Sequence, residues 1–226
     1  MTAMLRPAVR RILTVIPITI LALMCGSCSD FWVSESAIQS ISVTPGGVLL
    51  KAAASSDTTG DTYTFAASAT TVGGTTSDVT KTATWSTSDA TVATVASGVV
   101  TAVATANGKT ATITVTDGGK SSTAAVMTYT GTAPTSLTVS TPSFSSGATV
   151  SANTYQLHAY LNGTTTEVTN YVTWSTNNST ATSISSAGVL TVNSVATADS
   201  VTITATGTLG SSANTSITGT LSFTAQ

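Results

Sequence analysis

The sequence predicts an all-β protein, with two tandem copies of one antiparallel sandwich behind an N-terminal signal segment. Three observations predict it. β-Branched and hydroxyl residues dominate, with 51 Thr and 32 Ser among 226 residues. Apolar and hydroxyl residues alternate with period two over several stretches, the pattern of half-buried strands. The string Thr84-Trp85-Ser86-Thr87 returns as Thr173-Trp174-Ser175-Thr176, 89 residues later.

Composition removes several functions at once. Charged residues make up 7% of the chain, against about 25% in an ordinary globular protein. There is one His, His158, and there are two Cys, Cys25 and Cys28. Such a set builds no His-rich metal site and supplies few acid–base groups. The expectation is a non-catalytic protein with no cofactor and no metal. Beyond residue 27 the chain has four Lys against nine acids. Nucleic-acid binding needs a basic face, so no nucleic-acid partner is expected.

The N-terminus carries all three Arg (Arg6, Arg10 and Arg11), followed by an apolar run over residues 12–24. A basic start and a short apolar stretch read as a secretory signal. The run is too short for a comfortable membrane span, which needs about 20 apolar residues. The string Leu23-Met24-Cys25-Gly26-Ser27-Cys28 then resembles the lipobox of bacterial lipoproteins, whose Cys becomes the acylated first residue. Cys28, preceded by the small Ser27, is the better site; Cys25 follows the bulky Met24 and is the second choice. The resemblance implies a membrane partner reached through N-terminal acyl chains. Two or more chains anchor stably, since each buried methylene contributes about 0.8 kcal/mol. Ser29 after Cys28 fits sorting to the outer membrane in lipoproteins of that type. The division expected is signal 1–27, tether 28–37, first unit 38–130, linker 131–135 and second unit 136–226.

Within the units, β-branched Thr and Val are stiff and suit a pleated sheet. Residues 62–69 put Tyr63, Phe65, Ala67 and Ala69 on one face. Residues 109–116 put Ala111, Ile113 and Val115 opposite Thr110, Thr112 and Thr114. Val201, Ile203 and Ala205 alternate with Thr in the second half, as do Ile217, Leu221 and Phe223. Asp117-Gly118-Gly119-Lys120 reads as a hairpin turn. Each repeat is about 90 residues, room for seven short strands and the size of an immunoglobulin-like sandwich. The linker is short and holds Pro134, so limited swing between the units is expected.

The order Ser-Ile-Ser-Val-Thr-Pro (residues 40–45), Ala-Thr-Trp-Ser-Thr-Ser-Asp (83–89), Gly-Val-Val-Thr-Ala-Val-Ala (98–104) and Ala-Thr-Ile-Thr-Val (111–115) resembles the group 2 bacterial immunoglobulin-like domain. The second copy follows the pattern more loosely, with Asn177-Asn178-Ser179-Thr180 at the Ser-Asp turn. The resemblance implies rods, spacers or adhesive tips on exported proteins, and does not name a ligand.

Candidate sites follow from these assignments. Trp85 and Trp174, at equivalent positions, are expected in the cores. Alternation over residues 155–161 turns Tyr155, Leu157, Ala159 and Leu161 inward and puts Gln156, His158 and Tyr160 outside. His158 and Tyr160, together with Tyr171, form the possible binding face for a glycan or another envelope protein. Asp57, Asp61 and Asp78 lie near turns without calcium-loop spacing. An activated Ser or Thr needs a base within reach, and the single His is assigned to an outer face.

Overall fold

A computed structural model describes residues 34–53, 60–195, 197–210 and 216–226. The segments carrying Cys25, Cys28 and Asp57 lie outside these residues. Among those described, the regular structure is β apart from one 3-10 turn, Thr169–Tyr171.

The first half contains β1 (Ile38–Thr44), β2 (Gly47–Lys51), β3 (Thr62–Thr64), β4 (Ala66–Thr71) and β5 (Thr76–Asp78). It continues with β6 (Thr84–Thr87), β7 (Ala93–Ala96), β8 (Val99–Ala102), β9 (Thr110–Asp117) and β10 (Lys120–Tyr129). One layer is the four-stranded sheet β2-β10-β9-β6. The other layer is split into β1-β4-β5 and β3-β8-β7. All pairings are antiparallel except β2 with β10, which is parallel over Gly47–Lys51.

Local chemistry explains these elements. In β9 the alternating Ala111, Ile113 and Val115 are buried while Thr110 and Thr112 are exposed. Asp117 pairs with Lys120 around Gly118 and Gly119, whose φ values are 53° and 74°. Positive φ at both central residues is the two-residue hairpin turn whose twist matches antiparallel strands.

The run 62–69 corrects the sequence reading. It is not one strand but two, joined at the wholly buried Phe65. Its N–H donates to Gly98 O at 2.9 Å, and there the chain leaves β8 for β1. Gly98 has φ 82°, and a Cβ on it would stand 2.9 Å from Phe65 O, so only Gly fits this crossing. The splitting of long strands also raises the count above the seven expected.

The second half contains β11 (Leu137–Ser140), β12 (Thr149–Val150), β13 (Asn153–Gln156), β14 (His158–Leu161) and β15 (Val172–Thr176). It ends with β16 (Thr182–Ile184), β17 (Val189–Val192), β18 (Asp199–Thr208) and β19 (Ser216–Ala225). Its sheets are β12-β19-β18-β15, β13-β17-β16 and β11-β14, the same order as before. The parallel edge pair recurs as β12 with β19. The crossing recurs at Leu157, whose N–H donates to Gly188 O at 2.9 Å. The counterpart of β5 shrinks to a single bridge between Tyr160 and Glu167. The chain is therefore a duplicated immunoglobulin-like β-sandwich.

Apolar packing forms three clusters. Val48, Leu50, Phe65, Val100, Ile113 and Val126 belong to one, and Ile41, Ala67, Ala69, Val79 and Val115 to a second, both in the first half. The third fills the second half with residues such as Leu157, Trp174, Leu190, Ile203 and Phe223, and takes in Leu49, Met127 and Tyr129 from the first.

Candidate functional site

The site is built around a hydrogen-bonded post that occurs once in each half. In the first, the Trp85 indole N–H donates to Thr80 O at 2.8 Å. The Thr80 hydroxyl accepts the Ala67 N–H at 2.8 Å, and the Thr80 N–H donates to Asp78 Oδ1 at 2.8 Å. In the second, Trp174 donates to Thr169 O at 3.1 Å, and the Thr169 hydroxyl accepts the Ala159 N–H at 3.0 Å. The Thr169 hydroxyl donates in turn to Glu167 Oε1 at 2.7 Å. Each Trp thus ties its own strand, through the Thr five residues before it, to a strand of the opposite layer.

Trp174 is buried at 8% exposure. Trp85 is half-buried, packed against both apolar clusters of the first half. It lies in β6, the edge strand of its sheet, against a small cluster of Ile41, Val79, Val115 and two Ala.

His158 adds a further member to the second post. Its Nδ1 meets Glu167 Oε1 at 2.7 Å. The Tyr160 ring stacks on it with centroids 6.3 Å apart and planes at 27°. The two side chains share an outer face, both half-buried. Hydrogen bonds from His158 and then Thr169 hold the Glu167 carboxyl below the usual glutamate range. The Asp78 carboxyl is likewise lowered, by its bonds to Thr80.

The Thr169 side chain is 5% exposed, and its hydroxyl donates to Glu167 while accepting the Ala159 N–H, so it braces the turn from inside. Among the described residues no group of three His, Cys, Asp or Glu side chains is placed to hold a metal ion. Asp61 accepts the Lys51 N–H at 3.1 Å instead.

Tyr171 departs from the expected face. It ends the 3-10 turn, half-buried and packed on the large cluster. A Cβ built on Gly47 would stand 2.9 Å from its Cα, so its backbone is pressed against the first half. It is a packing residue of the junction and not an exposed platform.

Sequence reasoning missed Glu167 as the partner of His158. The signal was present as a second repeat: Asp78-Val79-Thr80 and Glu167-Val168-Thr169 also lie 89 residues apart. In the first half Ala66 stands where His158 does, and an open recess of about 490 Å3 is lined there by Phe65, Ala66, Asp78, Thr80 and Lys81.

No protein-family model matches this chain, and no curated protein does. Solved structures of low identity resemble it. Domains 4-9 of the surface layer protein SbsC are 18% identical with a TM-score of 0.33, over 84% of this chain and 31% of that one. Domains 5-6 of the same S-layer protein are 20% identical with a TM-score of 0.32, over 82% of this chain and 97% of that one. Extracellular cadherin domains 3-6 of protocadherin gamma B2 are 10% identical with a TM-score of 0.34, over 85% and 52%.

Proposed function

We propose that this chain is a non-catalytic cell-envelope protein, lipid-anchored through Cys28 (Cys25 as second choice), whose paired sandwiches act as a structural spacer or adhesion module of the group 2 bacterial immunoglobulin-like type. The observation that carries the reading is the junction, where Leu49, Met127 and Tyr129 of the first half are buried in the core of the second. Shared packing keeps two sandwiches at a fixed spacing, which a tethered spacer needs. The residues best suited to acid–base chemistry serve the posts instead: Glu167 and Asp78 bind Thr169 and Thr80. The exposed edge strand β5 offers a protein partner a place to add a strand.

Labelled fatty acid with globomycin, followed by proteolysis of intact cells, tests the anchor and the exposure together. Label that depends on Cys28, and cleavage of the chain from outside, are expected for an outer-membrane lipoprotein facing outward. An unlabelled mature form would refute the anchor.

A second reading is supported by the His158–Tyr160 stack on an outer face, which is a surface on which a sugar ring can lie. Glycan-array binding lost in Tyr160→Ala, with melting unchanged, would favour it over the spacer.

A further inference from the structure

Strand register gives residues of one unit counterparts in the other. Trp85 faces Val115 and Trp174 faces Ala205. Counting along β9 and β18 from those pairs, Asp117 corresponds to Gly207 and Ala111 to Val201. Lys120 lies opposite Asp117, and Ile217 opposite Gly207, so these two correspond. Val126 lies opposite Ala111, and Phe223 opposite Val201. Met127 therefore corresponds to Thr224 and Tyr129 to Gln226. Leu49, beside Met127 in the parallel pair, corresponds to Thr149 beside Thr224.

The counterparts diverge in chemistry at the junction. Leu49, Met127 and Tyr129 are 0%, 3% and 3% exposed, inserted into the second unit. In the second unit the same three positions hold Thr149, Thr224 and Gln226, of which Thr149 and Gln226 are exposed and Thr224 is half-buried. The receiving side diverges as well. Gly207 adjoins the insert, since a Cβ there would make ordinary contact with Leu49 Cδ1 at 3.5 Å. Leu209 bridges to Leu49, and the Gly210 N–H donates to Leu49 O at 2.8 Å. The first unit has Asp117 and Lys120 in place of Gly207 and Ile217, around a two-residue turn with no counterpart of Leu209.

We propose that the junction is a one-way joint: only the first unit carries the apolar insert and only the second carries its recess, so the pair locks in this order. The partner this surface fits is the chain's own second unit. In the reverse order the joint would set Asp117 and Lys120 against Thr149, Thr224 and Gln226, and charged or hydrogen-bonding groups resist burial without partners. The joint goes beyond the envelope function proposed above and stands whether or not the chain is acylated.

The test replaces the insert by the residues that the second unit carries there: Leu49→Thr, Met127→Thr and Tyr129→Gln in the full chain, kept in detergent. Urea unfolding is followed by Trp fluorescence and by circular dichroism. The unmodified chain is expected to unfold in one transition seen alike by both probes, and the triple variant in two. Two separate transitions in the unmodified chain would overturn the joint, and so would a single unaltered transition in the variant. Should the variant fail to fold, lengthening the linker after Thr132 with Gly and Ser residues is the second measurement. The insert is then intact, so one transition is expected, and two would show that the short linker alone had coupled the units.

Discussion

The Trp174 indole N–H donates to the Thr169 carbonyl at 3.1 Å, across the edge of the largest apolar cluster. The bond satisfies the polar end of a buried aromatic ring, and it fixes the turn that carries Thr169 and Tyr171. Trp174→Ala removes both the ring and the bond. A loss of about 3–5 kcal/mol in unfolding free energy is expected, the range for emptying a large core position. Trp85→Ala should cost less, because Trp85 is only partly buried. Urea denaturation of both variants checks the order, and a larger loss from Trp85 would contradict the burial described.

Tyr129 titrates late. Its pKa is pushed up to about 12, first by burial and then by the charge and hydrogen bond of Asp61. The folded state therefore keeps a proton that the unfolded chain releases at the ordinary tyrosine value. Stability falls as pH rises through that value. The absorbance of tyrosinate during alkaline titration should show a step near the end of the titration that is lost in Tyr129→Phe, while the rise at Tyr63, also shifted upward by burial, remains.

Glu167 works in the opposite direction. Its carboxyl is lowered by His158 and then by Thr169, so the folded state favours the ionised form. Its contribution is present above the ordinary glutamate value and is lost as pH falls through the lowered one. Glu167→Gln should lower the melting temperature at neutral pH. It should also flatten the fall in melting temperature on the acid side. An acid limb identical to that of the unmodified chain would show that the carboxylate adds nothing.

Thr128 is wholly buried, and its hydroxyl donates to Ala106 O at 2.8 Å while accepting the Lys109 N–H at 3.2 Å. Thr128→Val keeps the shape and strands both groups. A cost of about 1–3 kcal/mol is expected, measured by chemical denaturation. The nearby exposed Thr130→Val serves as the control and should change little.

Much of the architecture was legible because a pleated strand with one wet face writes itself as alternation. β9, β18 and β19 follow that pattern, as does the turn at Gly118 and Gly119. The crossings at Phe65 and Leu157 were not legible. Both stretches keep their inward side chains while changing backbone partners, and alternation reports only the side chains. His158 and Tyr160 could be placed on one face, but the carboxylate that holds His158 arrives from another segment. Leu49 drew no assignment from alternation, and it is the opposite half of the chain that covers it. Tyr171 was misplaced for a related reason, since an aromatic next to a turn looks exposed until a second body packs on it.

The parallel edge pairs have a mechanical consequence. In each sandwich an early strand runs alongside the last one in the same direction, β2 beside β10 and β12 beside β19. Tension drawn between an early strand and the last pulls such a pair lengthwise, so its bonds resist together instead of opening one at a time. The first pair spans five matched positions and the second only two. Under a rising load the C-terminal sandwich is therefore the one that gives way first, leaving the other as the last link to hold.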